Sequence, residues 1–218
     1  MWKKKIASSK APSETAKHFV AAVEALERGD VIVSPTETLY GLGADALNGA
    51  AVEKIFQLKG RDPHNPFPVL VANPEMLHTL IADLPPLAQK MMERFWPGPL
   101  TLVLPARPNI PPPLRNASGG VGVRISSQPI ATQLVKALGR PLTATSANPS
   151  GKEPARTLQE AKDYFAGKIQ VFLEGGTLTS KSGSTVVEVV GDKINIIREG
   201  EIHVADLRKT LGKEKLSR

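Results

Sequence analysis

Apolar residues recur along the chain with two periods, one typical of amphipathic helices and one typical of short buried strands. In residues 13–28 the apolar positions from Phe19 to Leu26 fall on one helical face, and Gly29 is placed to end the helix. The same reasoning predicts further helices over about 49–59, 74–81, 86–95, 129–138, 157–165 and 204–211. Strands are predicted at 31–33, 67–72, 100–104, 121–125, 142–145, 169–173, 184–190 and 193–198.

Helices and strands alternate from one end of the chain to the other, with short connections. The last two predicted strands form a hairpin, which makes part of the sheet antiparallel. We therefore expect one α/β domain around a mixed sheet, spanning residues 13–204. A basic extension at 1–12 and a basic helix or tail at 205–218 flank this domain, and residues 105–120 form a loop rich in proline and glycine.

The composition excludes several classes of protein. The 218 residues include no cysteine, which excludes disulfide frameworks, thiolate zinc sites, iron–sulfur clusters and cysteine nucleophiles. No apolar run approaches the roughly 18 residues needed to cross a bilayer. The charged start Met1–Lys5 is followed by Ser8 and Ser9, where a signal peptide would need an apolar run. We expect a cytoplasmic protein without a membrane segment.

Positive charge is in excess. Lysine and arginine outnumber the acidic residues by 28 to 21, which gives a formal net charge of +7. This excess favours polyanionic partners such as RNA or phosphorylated small molecules, and a solvated basic surface accounts for it equally well. Aromatic residues make up only 5% of the chain, which argues against a row of base-stacking rings.

The common nucleotide and metal motifs are missing from the sequence. It contains no G-x-x-x-x-G-K-[ST], no G-x-G-x-x-G and no H-E-x-x-H. A G-x-S-x-G nucleophile elbow is also missing, so nothing favours a serine hydrolase. The four histidines lack the spacing of metal ligands, and no metal site is predicted.

Small polar residues instead collect at the ends of predicted strands. Segment 34–43 carries the hydroxyls of Thr36 and Thr38 among glycines, either as a ligand loop or as a hydrogen-bonded turn. Segment 143–151 combines hydroxyls with an amide and has little side-chain bulk. Segment 182–185 is rich in hydroxyls and lies beside the last strand of the hairpin. In α/β proteins such strand ends gather ligand-binding groups.

Cations accompany these segments. Lys59 and Arg61 follow a predicted helix, where they either complement the helix dipole or bind phosphate oxygens, lysine as a point charge and arginine as a fork. Arg124 ends an apolar strand and needs an anion from the protein or from a ligand. With Arg198, these residues predict a site that binds and aligns anionic reactants, with catalysis by positioning and charge stabilisation.

The motifs resemble, in this order, those of the YrdC-like family of L-threonylcarbamoyladenylate synthases, over roughly residues 15–202. The matching fragments are P-T-E-T-x-Y-G-L-G from Pro35, K-x-R from Lys59, W-P-G-P-L-T from Trp96 and S-x-N from Ser146, together with Val123-Arg124, Ser184-Thr185 and Arg198-Glu199-Gly200. The resemblance implies a single α/β domain with a large twisted sheet, mixed or mostly antiparallel, and a concave, positively charged cavity.

The resemblance also implies an activity. L-threonine, bicarbonate and ATP, with Mg²⁺ carried by ATP, would give threonylcarbamoyl-AMP and pyrophosphate. The product would serve a downstream transfer complex that modifies tRNA, and direct contact with tRNA is possible. The implied threonine-binding residues are Thr38, Arg124, Ala144 and Ser184. The implied ATP-binding residues are Lys59, Arg61, Asn65, Ser146, Asn148 and Arg198, of which Lys59 and Arg61 are the implied catalytic pair.

Two positions depart from the family pattern, and three alternatives remain. Leu70 and Gln128 stand where some members carry histidine, and we expect the chain to lack the additional C-terminal domain of longer relatives.

The alternative functions are a non-catalytic RNA-binding module, an inactive paralogue, and the carbamoyl-transfer role of such domains in hydrogenase-maturation proteins. The missing cysteines argue against the last of these.

Overall fold

A computed structural model describes residues 13–180, 182–211 and 216–217. Within them lie seven α-helices, close to the predicted positions. The predicted basic extension 1–12, and residues 212–215 and 218 of the predicted tail, lie outside the described residues. The helices are α1 (Glu14–Glu27), α2 (Gly49–Lys59), α3 (Pro74–His78), α4 (Pro86–Phe95), α5 (Pro129–Leu138), α6 (Leu158–Phe165) and α7 (Val204–Leu211).

Helix starts follow local capping chemistry. The Asn48 side chain accepts a hydrogen bond from the backbone N–H of Ala51 at 3.2 Å and begins α2. Thr157 and Glu160 cap α6 reciprocally, which confirms the predicted capping box. Helix α3 ends three residues earlier than predicted.

The strands divide into two mixed sheets. A four-stranded sheet has the order β7-β2-β1-β8 and a seven-stranded sheet the order β11-β10-β9-β4-β5-β3-β6. The α/β class and the mixed sheet are thus confirmed, with the strands shared between two sheets. The strands are β1 (Ile32–Pro35), β2 (Tyr40–Gly43), β3 (Val69–Leu70), β4 (Leu100–Pro105), β5 (Gly120–Arg124), β6 (Leu142–Thr143), β7 (Thr145–Ser146), β8 (Val171–Phe172), β9 (Thr185–Val190), β10 (Lys193–Arg198) and β11 (Leu216–Ser217).

Two parts of the strand prediction were wrong. The predicted polar segment 34–43 contains strand β2, which pairs antiparallel with β1 from Tyr40 to Gly43. The predicted strand 142–145 is interrupted at Ala144, so that β6 joins the larger sheet and β7 the smaller one. Residues 142–146 therefore connect the two sheets at the point where several polar residues collect.

Two apolar clusters hold the layers together. The main cluster includes side chains from both sheets, α2, α4 and α6. A second cluster packs α1 against α5, through residues such as Leu26 and Leu134. Leu207 of α7 is fully buried in the main cluster, so the packed structure extends past the predicted boundary at residue 204. Burial of this apolar surface is the main stabilising term for such a fold.

Candidate active site

A cavity of about 520 Å³ lies between one face of β4 and β5 in the larger sheet and strands β2 and β7 of the smaller sheet. Eight of the ten predicted site residues line it: Thr38, Arg61, Asn65, Arg124, Ala144, Ser146, Ser184 and Arg198. The other two, Lys59 and Asn148, line an adjoining hollow of about 350 Å³, which shares Arg61, Asn65 and Ser146 with the cavity. The structure therefore brings all ten predicted residues to one continuous region.

Three arginines give the cavity its positive charge. Burial lowers the pKa of Arg61, of Arg124 and of Arg198 below the usual value. The positive charges of Arg124 and Arg61 lower the pKa of Arg198 further, which means that both guanidinium groups repel that of Arg198. An anionic ligand relieves this repulsion.

Arg124 lies at the end of β5 and is almost completely buried, with 4% of its side chain exposed. Its Nη1 donates to Oε1 of Glu37 at 3.1 Å. The other oxygen of Glu37 accepts a hydrogen bond from the Ser126 hydroxyl. The protein thus supplies one anion for Arg124, while the buried Nε of Arg124 has no hydrogen-bond partner within the described residues.

The turn between β1 and β2 is organised by one hydroxyl. Thr36 Oγ1 donates to the carbonyl of Leu39 at 2.7 Å and accepts from the backbone N–H groups of Thr38 and Leu39, both at 3.2 Å. Segment 34–43 was predicted to be either a ligand loop or a hydrogen-bonded turn, and the hydroxyl of Thr36 forms such a turn. Thr38 lines the cavity beside it, with its hydroxyl 3.1 Å from that of Thr36.

Lys59 differs from the expected point charge on phosphate. Only 3% of the residue is exposed, and Nζ donates to the carbonyls of Ser146 and Asn148 at 2.5 and 2.7 Å and to Asn148 Oδ1 at 3.3 Å. These three acceptors use every donor of an ammonium group. Burial, assisted by the charge of Arg61, lowers the pKa of Lys59 to about 7. In this structure the lysine fastens the 146–148 segment to α2.

Arg61 is the cation that faces the cavity from the K-x-R motif. Its Nε donates to the carbonyl of Asn65 at 2.7 Å and its Nη2 to that of Pro66 at 3.2 Å. These bonds hold one side of the guanidinium against its own loop. Arg61 lines both the cavity and the adjoining hollow, so it stands where a ligand that spans the two would pass.

The opposite wall is built by β9 and β10. Arg198 Nη2 donates to the carbonyl of Ser184 at 2.8 Å. The Ser184 hydroxyl lies 2.9 Å from that of Thr101 on β4, and both residues are buried. The predicted pair of Ser184 and Arg198 is therefore in direct contact, and Thr101 fixes it to the central strands.

Sequence reasoning missed two residues at the site: Thr101, which lines the cavity, and Glu37, which pairs with Arg124 without lining it. Both lie inside the quoted motifs, Glu37 between two threonines and Thr101 at the end of W-P-G-P-L-T. The available signal for Glu37 was the expectation that a buried Arg124 needs an anion, together with the fact that Glu37 is the one acidic residue of segment 34–43. The two departures from the family pattern do not line the cavity: Leu70 lies in the core and Gln128 caps α5.

The described part of the chain contains neither a metal-ligand cluster nor a membrane-spanning helix. Among these residues no three or more histidine, aspartate or glutamate side chains cluster as a metal site would require. No described helix is long and apolar enough to span a bilayer.

The fold and the site define an α/β protein with a cavity lined by arginines, hydroxyls and glycines, groups whose chemistry suits an anionic ligand. The Sua5/YciO/YrdC family profile, described as telomere recombination, matches residues 24–200. The chain belongs to this family.

Relatives of known name are similar over most of the chain. Threonylcarbamoyl-AMP synthase of Pyrococcus abyssi is 36% identical over 187 residues, which cover 86% of this chain and 55% of that protein. The putative threonylcarbamoyl-AMP synthase of Mycobacterium tuberculosis is 32% identical over 201 residues, 92% of each chain. This chain thus spans just over half of the archaeal relative and nearly all of the mycobacterial one.

Solved structures share the fold. P. abyssi Sua5 complexed with L-threonine has a TM-score of 0.88 at 34% identity, covering 95% of this chain and 61% of that one. E. coli YciO has a TM-score of 0.79 at 28% identity, covering 88% of this chain and 93% of that one.

Proposed function

We propose that this chain is an L-threonylcarbamoyladenylate synthase, which converts L-threonine, bicarbonate and ATP to threonylcarbamoyl-AMP, pyrophosphate and water. The observation that carries the proposal is the convergence of Arg61, Arg124 and Arg198 on one cavity, beside the segment that Lys59 anchors. A triphosphate and a carboxylate together match this excess of positive charge. The names of the relatives, and the threonine complex of P. abyssi Sua5, support the same reaction.

The reaction has two bond-forming steps. The amino nitrogen of threonine attacks the carbon of bicarbonate or of CO₂ derived from it, which forms a carbamate and releases water. A carbamate oxygen then attacks the α-phosphorus of ATP in line, and the bond to the bridging oxygen of pyrophosphate breaks. Neither step needs a nucleophile from the protein, so catalysis rests on alignment of the reactants and on stabilisation of phosphate charge.

The threonine subsite lies at the inner wall. Arg124 binds the carboxylate, since Glu37 occupies Nη1 and leaves Nε without a partner among the described residues. Thr38 and Ser184 offer hydroxyls to the polar groups of threonine, and the backbone at Ala144 separates the two substrates.

ATP occupies the region shared by the cavity and the hollow. Arg61 and Arg198 stabilise the phosphates, with Mg²⁺ entering bound to ATP as part of the substrate. Asn65 and Ser146 line both spaces, and Lys59 and Asn148 shape the segment against which the phosphates lie. The catalytic role falls mainly on Arg61, with Lys59 holding the segment and adding positive charge.

The product serves a further enzyme complex that transfers the threonylcarbamoyl group to an adenosine of tRNA in the cytoplasm. An activated acyl adenylate is consumed by transfer to a nucleophile, and an exocyclic amine of RNA is one. We place the catalytic domain at residues 13–211, because α7 packs into the core.

Mass spectrometry of the products tests the reaction directly. The purified chain is incubated with ATP, Mg²⁺, bicarbonate and either L-threonine or another amino acid. We expect an adenylate of the threonylcarbamoyl mass and release of pyrophosphate only with L-threonine. Arg61→Ala serves as the inactive control, because it lacks the proposed phosphate cation. A protein that binds RNA tightly but releases no pyrophosphate would be the non-catalytic module instead.

A further inference from the structure

We infer that Glu37 is a positioning residue that orients Arg124 for the carboxylate of the amino-acid substrate. The inference rests on the proposed function and assigns a role to a residue outside the ten predicted site residues. Glu37 does not line the cavity, so it acts through Arg124 and not on the substrate.

The ion pair between the two residues lies in the protein interior. The exposed fraction is 4% for the Arg124 side chain and 13% for that of Glu37, and the Nη1–Oε1 distance is 3.1 Å. Water screens such a pair little, so its geometry is set by the protein. An isolated guanidinium at this depth would lack a counter-charge, and the charge of Glu37 favours its ionised form.

Other residues hold the Glu37 carboxylate of this ion pair in place from two sides. Glu37 belongs to the turn held by Thr36 Oγ1, which also fixes the backbone of Thr38. On the other side, the Ser126 hydroxyl donates to Glu37 and accepts from the backbone N–H of Gln128, the residue that caps α5. The carboxylate therefore joins the β1–β2 turn to the start of α5, with Arg124 held between them.

The ion pair with Glu37 limits the orientations that the Arg124 guanidinium can adopt. Arg124 repels Arg198, so without Glu37 its guanidinium would move away from the cavity or turn toward another acceptor. Nη1 is held by Glu37, so the planar guanidinium of Arg124 keeps one orientation beside the cavity that Arg124 lines, and its Nε has no partner among the described residues. A substrate carboxylate bound by an oriented guanidinium loses less conformational freedom than one bound by a mobile guanidinium.

The central test uses Glu37→Gln, which keeps the shape of the side chain and removes its charge. We expect the KM for L-threonine to rise by about tenfold or more, the size of effect usual for a hydrogen bond to a charged group, with the KM for ATP unchanged. Glu37→Asp, which retains the charge, should recover part of the loss. Glu53→Gln on the exposed face of α2 is the matched control for the substitution itself.

A substrate analogue separates orientation from general damage. L-threoninol lacks the carboxylate, so its binding, measured by calorimetry, does not depend on an oriented Arg124. Glu37→Gln should weaken L-threonine binding far more than L-threoninol binding. A purely structural role would weaken both to the same extent, together with ATP, and would overturn the inference.

A second variant tests the same ion pair if Glu37→Gln does not fold. If Glu37→Gln does not fold, Ser126→Ala removes only the hydrogen bond to the second carboxylate oxygen, and we expect a smaller rise in the threonine KM alone. An unchanged threonine KM in whichever of the two variants folds would overturn the inference. Absence of threonine-dependent pyrophosphate release in the wild type would instead refute the proposed function.

Discussion

The hydroxyl of Thr36 gives the sharpest test of how the site is built. Thr36→Val replaces that hydroxyl by a methyl group and keeps the volume and the β-branch. The residue is buried, with 6% exposed, and its hydroxyl serves the N–H groups of Thr38 and Leu39 and the carbonyl of Leu39. The substitution therefore removes hydrogen bonds while changing packing very little.

The expected loss of stability follows from the groups left behind. Two buried N–H groups lose their acceptor, while the carbonyl of Leu39 keeps the backbone N–H of Thr36 at 3.0 Å as a donor. An unsatisfied buried polar group costs about 1–3 kcal/mol. For the two N–H groups together we expect a decrease of about 2–6 kcal/mol in the free energy of unfolding, a large part of the roughly 5–15 kcal/mol typical of a domain.

Function should change in the same variant. Thr38 and Glu37 both depend on this turn, so its loosening disturbs Thr38 in the cavity and the support of Arg124 together. We expect the KM for L-threonine to rise by about tenfold, with a smaller change for ATP, whose proposed subsite lies nearer to Arg61 and the 146–148 segment.

Two measurements check these values. Urea unfolding gives the change in stability, and initial rates of pyrophosphate release give the two KM values. Thr79→Val is the matched control, because Thr79 is exposed and does not line the cavity. The reasoning is refuted if Thr36→Val is as stable as the control and keeps the wild-type KM for threonine.

Three further predictions concern other parts of the structure. Lys59→Ala and Arg61→Ala should each lower turnover by about 100-fold, and wild-type turnover in either would contradict the proposed roles. Lys59→Ala should also lower the unfolding free energy, because it removes the buried ammonium group that joins three oxygens of the 146–148 segment to α2, although the Ser146 carbonyl and Asn148 Oδ1 each keep another donor. Hydrogen bonds, first from Ser118 and then from Asn116, lower the pKa of Glu188 below its usual 4.5. The ionised carboxylate therefore stabilises the fold above pH 4.5, and this contribution is lost as the pH falls below that value. Glu188→Gln should make the unfolding free energy fall less steeply with decreasing pH in this range, and an unchanged pH dependence would contradict the assignment. Tyr40→Phe should lower the unfolding free energy by about 1–2 kcal/mol, and with it the melting temperature, because the buried hydroxyl of Tyr40 accepts from the Gly175 N–H and donates to the Gly176 carbonyl. An unchanged melting temperature would show that water takes over these hydrogen bonds in the variant.

Local signals predicted the helices well. Helix α2 begins and ends where the sequence places it, because Asn48 caps its start and Gly60, in the left-handed region with φ of 58°, ends it. The capping box of α6 is likewise a contact between residues three apart. Such features depend on neighbours in sequence, which are visible without a structure.

Strands were harder to predict because their partners are distant. Strand β2 carries glycines at Gly41 and Gly43, which disfavour a strand, and only Tyr40 has a high strand propensity. It forms because β1 and β7 pair with it on its two sides. At Gly41 a Cβ atom would lie 3.2 Å from the carbonyl of Thr145, so the glycine there allows the close approach of β7.

The sequence by itself determined the class of the fold, the order of most elements, the excess of positive charge and the ten candidate residues that line the cavity and the adjoining hollow. Their roles toward each other were decided by the tertiary structure. Lys59 meets the carbonyl of Ser146 across 87 residues, and Arg124 meets Glu37 across the same separation. Residue types and spacing state which groups are available, whereas burial and distance decide which of them are already paired and which remain for a substrate.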